Sequence, residues 1–197
     1  MAEPLVLGFD TSAAHCAAAL LQGDRLLAAR HEDMARGQAE RLFPLLTELL
    51  AQAGRDWPDL AAIGCGIGPG NFTGVRIAVA AARGLSLSLG IPAIGVSATE
   101  AAAYGLPRPC RVQLPGRADE VIWQDFIPGQ DTRPAQAARV DLPPGPPVLP
   151  PALPLAEAIA RIAMIRRDLS GVPAPSPIYL RPADAAPARD RGPRILT

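Results

Sequence analysis

The chain has 197 residues, which is enough for one large domain or two small lobes. Its 19 acidic and 19 basic residues give a net charge of zero, which argues against a strongly basic nucleic-acid surface acting alone. Every basic residue is an arginine, and the absence of lysine excludes Schiff-base lysine chemistry and the lysine of a Walker-type phosphate loop.

Cysteine usage and apolar patterning indicate the compartment. Cys16, Cys65 and Cys110 are widely spaced and match neither a disulfide framework nor a zinc pattern. Cys16 and Cys65 lie in apolar runs, which predicts that both are buried small hydrophobes. Acidic residues interrupt the start of the chain, so no signal peptide is predicted, and no apolar run is expected to reach the length of a membrane span. These features predict a cytoplasmic protein without membrane contact.

The first half of the chain predicts a mixed α/β lobe. The expected elements are strands at 5–9, 16–21 and 25–29, a helix at 40–53, a strand at 60–65, a helix at 75–89, a strand at 93–96 and a helix at 98–104. Thr73 is expected to cap the helix at 75–89, and Ser97 the helix at 98–104. A three-stranded meander followed by alternating helices and strands is the order of a ribonuclease H-like lobe.

The second half of the chain predicts a smaller, loop-rich lobe. Strands are expected at 110–114 and 121–126, a helix at 155–166 and a short final element at 178–181. The proline-dense stretch 128–154 cannot form a regular helix. The predicted organisation is therefore a partner-binding lobe at 1–104, a reduced proline-rich lobe at 105–186 and a flexible tail at 187–197.

A glycine-rich turn, GIGPGNFTG at residues 66–74, joins the strand at 60–65 to the helix at 75–89. Such a turn lets main-chain amides approach an anion at the positive end of a helix. It also lets a helix pack tightly on a sheet without any ligand. Neither the dinucleotide fingerprint nor the Walker pattern fits the spacing, and the residues alone leave both interpretations open.

Several motifs in order identify a family. They are LGFDTS at 7–12, ERLFPLL at 40–46, GPGNFTGVRI at 68–77, GIP at 90–92, VS at 96–97 and PIYLRPAD at 177–184. Together they resemble the TsaB (YeaZ) family, over residues 1–104 and again at the C-terminal motif. The stretch VIWQDF at 121–126 is similar to a second-lobe strand of the family, but the usual Asp-Ala-Arg before it is replaced by LPGR at 114–117.

The resemblance implies an α/β fold of two ribonuclease H-like lobes, in the actin-like ATPase superfamily, with the second lobe reduced. It implies a non-catalytic subunit for synthesis of tRNA N6-threonylcarbamoyladenosine at A37, which binds and supports a TsaD-type transferase. A TsaE-type ATPase is the further implied partner. The chain is expected to form a homodimer when alone and to meet tRNA only through the complex. No cofactor is expected beyond weak or interface-dependent ATP or ADP binding.

The resemblance also implies a partner-binding face on the helices at 40–53 and 75–89. The residues assigned to it are Leu42, Leu46, Leu49, Gly74, Ala78, Ala81 and Leu85. The transferase of this system needs a metal held by paired histidines, whereas this chain has only His15 and His31, in different elements. Both are interpreted as single surface histidines, and no metal site or catalytic residue is expected.

A vestigial nucleotide contact is the remaining site prediction. Active members of the superfamily hold metal and phosphate where the first strand ends, and a carboxylate beside two hydroxyls stands at that position here. The residues are Asp10, Thr11, Ser12, Gly68, Gly70, Thr73 and Gly74. The simpler interpretation is a turn in which Asp10 and Ser12 bond neighbouring amides. The competing functions are an actin-like ATP-dependent kinase or hydrolase that uses Asp10 and the 68–74 loop, and a homodimeric regulator without a transferase partner.

Overall fold

The structure is a computed structural model that describes residues 3–180. The predicted tail at 187–197 therefore lies outside the described residues. The elements are β1 Leu5–Asp10, β2 His15–Gln22, β3 Arg25–Asp33, α1 Gln38–Gln52, β4 Leu60–Gly66, α2 Phe72–Leu89, β5 Ala93–Val96, α3 Ala98–Ala102, β6 Cys110–Pro115, β7 Glu120–Phe126, β8 Ala135–Ala138 and α4 Leu155–Arg166.

A five-stranded sheet in the order β3-β2-β1-β4-β5 forms the centre of the molecule. The β1–β2 and β2–β3 pairs are antiparallel, as the meander predicts, and β4 and β5 join in parallel to β1 and β4. Parallel strands need a crossover connection, and α2 supplies the one between β4 and β5. The predicted order of the first eight elements is confirmed.

Side chains alternate along β1, so the sheet has two apolar faces. Leu7 and Phe9 point to one face and pack in the cluster that contains the apolar side chains of α1 and α2. Val6 points to the other face and packs with α4, which comes from the second half of the chain. The sheet is thus covered on both sides, and α4 ties the two halves together.

Two glycines let α4 lie unusually close to the sheet. A Cβ on Gly8 would stand 2.6 Å from the carbonyl oxygen of Ala156, and a Cβ on Gly64 would stand 2.9 Å from that of Ile159. Any side chain at these positions would push the helix off the sheet. Glycine is required there for close backbone approach.

The second sheet is small, with three antiparallel strands in the order β6-β7-β8. Strands β6 and β7 are the two expected ones, whereas β8 lies inside the proline-dense stretch and was missed. Its sequence AQAA has low β propensity and is only half-buried, so nothing local marks it as a strand. Pairing with β7 creates it.

The helix caps differ in part from the predictions. Helix α2 begins at Phe72, and its cap is Asn71, whose side-chain oxygen accepts a hydrogen bond from the amide of Gly74 at 2.9 Å. Thr73 is therefore not the cap, because it lies inside the first turn. Ser97 caps α3 as expected, through the amide of Glu100 at 3.0 Å.

Within residues 3–180, α2 is long and apolar enough by composition to cross a membrane, which qualifies the prediction that no such run exists. One side of this helix packs on the sheet of the first lobe. Ala78 and Ala82 on that side are completely buried. Core helices of globular domains can be equally long and equally apolar.

Candidate functional site

The turn after β1 carries the first predicted group of site residues. Asp10, Thr11 and Ser12 are all buried. One oxygen of Asp10, Oδ2, accepts hydrogen bonds from the Ser12 amide at 3.1 Å and the Ser12 hydroxyl at 2.9 Å, and lies 2.7 Å from Nε2 of His15. The other oxygen, Oδ1, is buried against Gly66 and accepts no hydrogen bond from any described residue. The carboxylate therefore organises its own turn, as the simpler interpretation proposed.

The glycine-rich loop packs its main chain directly onto this turn. The amide of Asn71 donates to the carbonyl oxygen of Ser12 at 2.6 Å, and the Thr11 hydroxyl donates to the carbonyl oxygen of Gly74 at 2.7 Å. A Cβ at Gly70 would clash with the Ser12 carbonyl, and a Cβ at Gly74 would clash with that of Thr11. The structure thus brings the predicted residues together, and the loop's own backbone occupies the space beside the turn.

The remaining residues of the predicted nucleotide contact lie at the rim of this loop. Gly68 has a left-handed backbone (φ 81°), and its carbonyl oxygen accepts a hydrogen bond from the Ala98 amide at 2.7 Å. Thr73 is exposed on the first turn of α2. These contacts explain the glycines without a ligand, and nucleotide binding stays a prediction.

The side chains assigned to the partner face lie inside the first lobe. Leu42, Leu46, Leu49 and Ala78 are completely buried, and all four belong to the cluster under the sheet. Ala81 is 8% exposed, Gly74 is buried against Thr11, and Leu85 is half-buried. An arginine at position 46 or 78 would therefore disturb the packing of the monomer itself, rather than an interface with another chain.

The opposite sides of the same two helices form an exposed surface. On α2 it contains Arg76, Ala80, Arg83, Gly84 and Leu87, and on α1 it contains Phe43, Pro44, Thr47 and Glu48. Leu87 is 88% exposed and Phe43 is 45% exposed. We call this surface the α1/α2 face. The helical period could have indicated it, because these residues also recur at three- and four-residue spacing.

The C-terminal motif lies against the glycine loop, a contact that sequence reasoning missed. The Ile178 amide donates to the carbonyl oxygen of Ile67 at 2.8 Å. One residue further, the Tyr179 hydroxyl accepts a hydrogen bond from Nε of Arg76 at 2.8 Å. The two family motifs at 68–77 and 177–184 therefore meet in space, as far as the described part of the second motif extends. In the sequence, the only indication of this contact was that both motifs resemble the same family.

The two histidines are neighbours, contrary to the interpretation as separate surface residues. Strands β2 and β3 pair, so the rings of His15 and His31 lie 4.9 Å apart between centroids. His15 contacts Asp10, and Nε2 of His31 lies 3.1 Å from a carboxylate oxygen of Asp33. The pairing of two neighbouring strands brings them together. A search for ligands at helical spacing in the sequence does not reveal such a contact. Within residues 3–180, no group of three or more His, Cys, Asp or Glu side chains is placed to hold a metal ion.

Burial and ion pairing set the pKa values around the first lobe. Desolvation raises the pKa of Cys16 to about 11 and that of Cys65 to about 12. Both cysteines are buried, which confirms that they serve as small hydrophobes. On α1, Arg41 binds both Glu32 and Glu48 at 2.6 Å, and its hydrogen bonds lower the pKa of each carboxylate.

Comparison with known proteins agrees with this architecture. The family model of TsaD, tRNA N6-adenosine threonylcarbamoyltransferase, matches residues 31–143. The chain is 35% identical to the tRNA threonylcarbamoyladenosine biosynthesis protein TsaB of Escherichia coli over 126 residues, which cover 61% of this chain and 54% of that protein. The match thus spans about half the length of E. coli TsaB. An uncharacterized protein of Mycobacterium tuberculosis H37Rv is 33% identical over 92% of this chain and 94% of its own length.

Solved structures extend the comparison to nearly the whole chain. YeaZ from Pseudomonas aeruginosa matches with a TM-score of 0.67 and 30% identity, covering 90% of this chain and 100% of that one. A further structure from P. aeruginosa, of an uncharacterized protein similar to peptidase YEAZ, matches with a TM-score of 0.72 and 28% identity over the same shares.

Sheet order, covering helices and the packed glycine loop define an α/β protein of the TsaD-like class, with a ribonuclease H-like first lobe and a reduced second lobe. The expected fold class is confirmed. Within this class the chain belongs to the TsaB (YeaZ) family, so the resemblance seen in its motifs is also confirmed.

Proposed function

We propose that this chain is a non-catalytic subunit in tRNA threonylcarbamoyladenosine biosynthesis, which binds and supports a TsaD-type transferase through the α1/α2 face. A TsaE-type ATPase is the further partner, and tRNA is met only through the complex. Without its partner the chain self-associates through the same face. We place this work in the cytoplasm. Relatives named for this biosynthesis, in E. coli and other bacteria, support the pathway.

The observation that carries the proposal is the exposed side of α2. This helix is rich in apolar and small residues, yet within residues 3–180 only its inner side is covered. Ala80 and Gly84 stand one turn apart on the outer side, and no described residue beyond the helix's own backbone and the chain neighbours lies within 4 Å of the position of a Cβ on Gly84. Small side chains let a second helix approach closely, and the neighbouring Leu87 gives it apolar area to bury.

The turn and glycine loop support the non-catalytic part of the proposal. In phosphate-binding loops, free main-chain amides at a helix N-terminus bind the anion. Here Asn71 donates its amide to Ser12, and the amides of Gly74 and Val75 donate to the side chain and the carbonyl oxygen of Asn71. These three donors are satisfied by the protein itself.

Charge substitutions on the exposed helix face test the interface. Ala80→Arg and Leu87→Arg are expected to weaken self-association and transferase binding at least about tenfold, because a buried charge without a partner costs several kcal/mol. The matched control is Val140→Arg, at a 91% exposed position in the second lobe. Sedimentation or light scattering measures self-association, and calorimetry measures transferase binding, with circular dichroism for folding. If the folded variants still self-associate and still bind the transferase, the interface lies elsewhere.

A reconstituted assay tests the role. With threonylcarbamoyl-AMP and tRNA, the chain alone should form no threonylcarbamoyladenosine, whereas adding it to the transferase should restore product. The Leu87→Arg variant should fail to restore it, and Val140→Arg should succeed. Robust product from the chain alone, lost in a folded Asp10→Ala variant, would instead support the alternative of an actin-like enzyme that uses Asp10 and the 68–74 loop.

A further inference from the structure

Arg76 on the α1/α2 face packs against two neighbouring aromatic residues. Its guanidinium carbon lies 3.7 Å from the centre of the Phe72 ring and 5.7 Å from that of Tyr179. The two rings lie 5.0 Å apart between centroids, and Nε of Arg76 donates to the Tyr179 hydroxyl at 2.8 Å. An exposed arginine normally samples many rotamers, so this one is unusually constrained.

Within residues 3–180, the constraint leaves the binding end of the guanidinium group without a partner. Nε is used by Tyr179, and no described residue accepts a hydrogen bond from the terminal amino groups of Arg76. A planar fork with two such donors matches a carboxylate in a bidentate geometry. Because the side chain is already ordered, binding costs less conformational entropy than it would for a free arginine.

The surrounding charge selects the kind of anion. Helix α2 carries Arg76 and Arg83 and no acidic residue, so its outer side favours a negative group. Neighbouring α1 exposes Glu40, and also Glu48, whose carboxylate is paired with Arg41. The Glu40 carboxylate disfavours a polyanion such as RNA, but does not prevent a single carboxylate from reaching Arg76. Exposed Phe72 and Tyr179 add aromatic area, which is enriched at protein interfaces.

We propose that Arg76 is the anchor for a carboxylate of the protein partner that covers the α1/α2 face, and that Phe72 and Tyr179 are positioning residues that hold the guanidinium ready. This inference rests on the proposed function, since the partner is the transferase subunit. It assigns a role to the C-terminal motif: residues 178 and 179 attach to the glycine loop and to Arg76, and so shape the binding surface from the far end of the chain.

A double-mutant cycle on the full chain tests the anchor. Arg76→Ala should weaken transferase binding at least about tenfold and reduce its dependence on salt, because the interaction lost is an ion pair. Arg76→Lys should stay weakened, since an ammonium group lacks the planar fork. Tyr179→Phe, which removes only the hydroxyl, should cause a smaller loss, and no further loss when Arg76 is already alanine. The control is Arg139→Ala, on the exposed 3₁₀ turn of the second lobe.

The outcomes separate this inference from the proposed interface. Losses from Arg76→Ala and Tyr179→Phe that simply add would show that Tyr179 does not act through Arg76 and would overturn the positioning role. Unchanged binding in Arg76→Ala, with binding abolished by Leu87→Arg, would overturn the anchor and leave the interface standing. Unchanged binding in both variants would overturn the interface as well. A loss confined to tRNA binding would show that the anion is a phosphate, and would equally overturn the proposal.

Discussion

At the scale of single residues, the glycines of the 66–74 loop allowed two interpretations. Their pattern was compatible with an anion site and with a tightly packed turn. The structure shows main-chain contact between the loop and the turn at Thr11 and Ser12, with hydrogen bonds from both sides. Close packing is therefore sufficient to require glycine at positions 70 and 74.

Two glycines in the same helix provide a matched test. Gly74→Ala should destabilise the protein by about 1–3 kcal/mol or more, because the new methyl group would clash with the Thr11 carbonyl. Gly84→Ala should stabilise the monomer by up to about 1 kcal/mol, because the site is open there and alanine is the better helix former. Urea unfolding of both variants measures the difference. Equal effects at the two positions would show that the loop does not pack on the turn in solution.

At the scale of elements, helix periodicity located α1 and α2 but not the side that faces a partner. The leucine stripe of α1 was interpreted as an interface, whereas it is the core side. On α2, alanines occur on both sides, so composition cannot tell the inner side from the outer. The distinction depends on which side meets the sheet, and that contact involves residues far away in the chain.

A buried ion pair links two neighbouring strands of the second sheet. Arg111 on β6 is 4% exposed, and its guanidinium binds the carboxylate of Asp125 on β7, with 2.8 Å between Nη2 and Oδ2. It also donates to the Pro143 carbonyl at 2.6 Å, and its backbone bonds residues 147 and 149. Arg111 thus fixes part of the proline-dense stretch to the sheet edge, which gives that stretch an ordered path without helix or strand signals.

Removal of this arginine should be costly. Arg111→Ala is expected to lower the free energy of unfolding by about 3–5 kcal/mol, because it leaves the Asp125 carboxylate and the proline carbonyls without their donor. Arg139→Ala, an exposed change in the same lobe, should stay within about 0.5 kcal/mol of the parent. Chemical denaturation compares them. A small effect of Arg111→Ala would mean that water replaces the guanidinium and that the stretch is held by other contacts.

At the scale of the whole molecule, the two halves are joined through α4. This helix starts at Leu155, in the half predicted as a separate smaller lobe, and covers the face of the first sheet opposite α1 and α2. Ile159 and Ala163 are almost completely buried there. A hydrogen bond from the Thr99 hydroxyl to the Gln124 side chain, at 2.6 Å, adds a second link between the halves. The domain boundary at residue 104 stays a prediction.

Truncation measures how far the first lobe depends on α4. A fragment of residues 1–104 would uncover the face of its sheet on which α4 packs, where Val6, Ile94 and Val96 are buried in the full chain. We expect the fragment to aggregate or to lack a cooperative thermal transition in circular dichroism. The full chain is the control. A cooperative transition in the fragment would show that the lobe folds independently and that α4 only adds to its stability.

The sequence by itself determined the family, the order of the first eight elements and the burial of Cys16 and Cys65, because motifs and apolar periodicity are local properties of the chain. Only the tertiary structure decided that β8 forms, that α4 covers the first sheet and that Arg76 is held by Tyr179. Each of these depends on contacts between residues distant in sequence. Such contacts leave no periodic trace, and they exist only once the sheet has brought distant segments of the chain together.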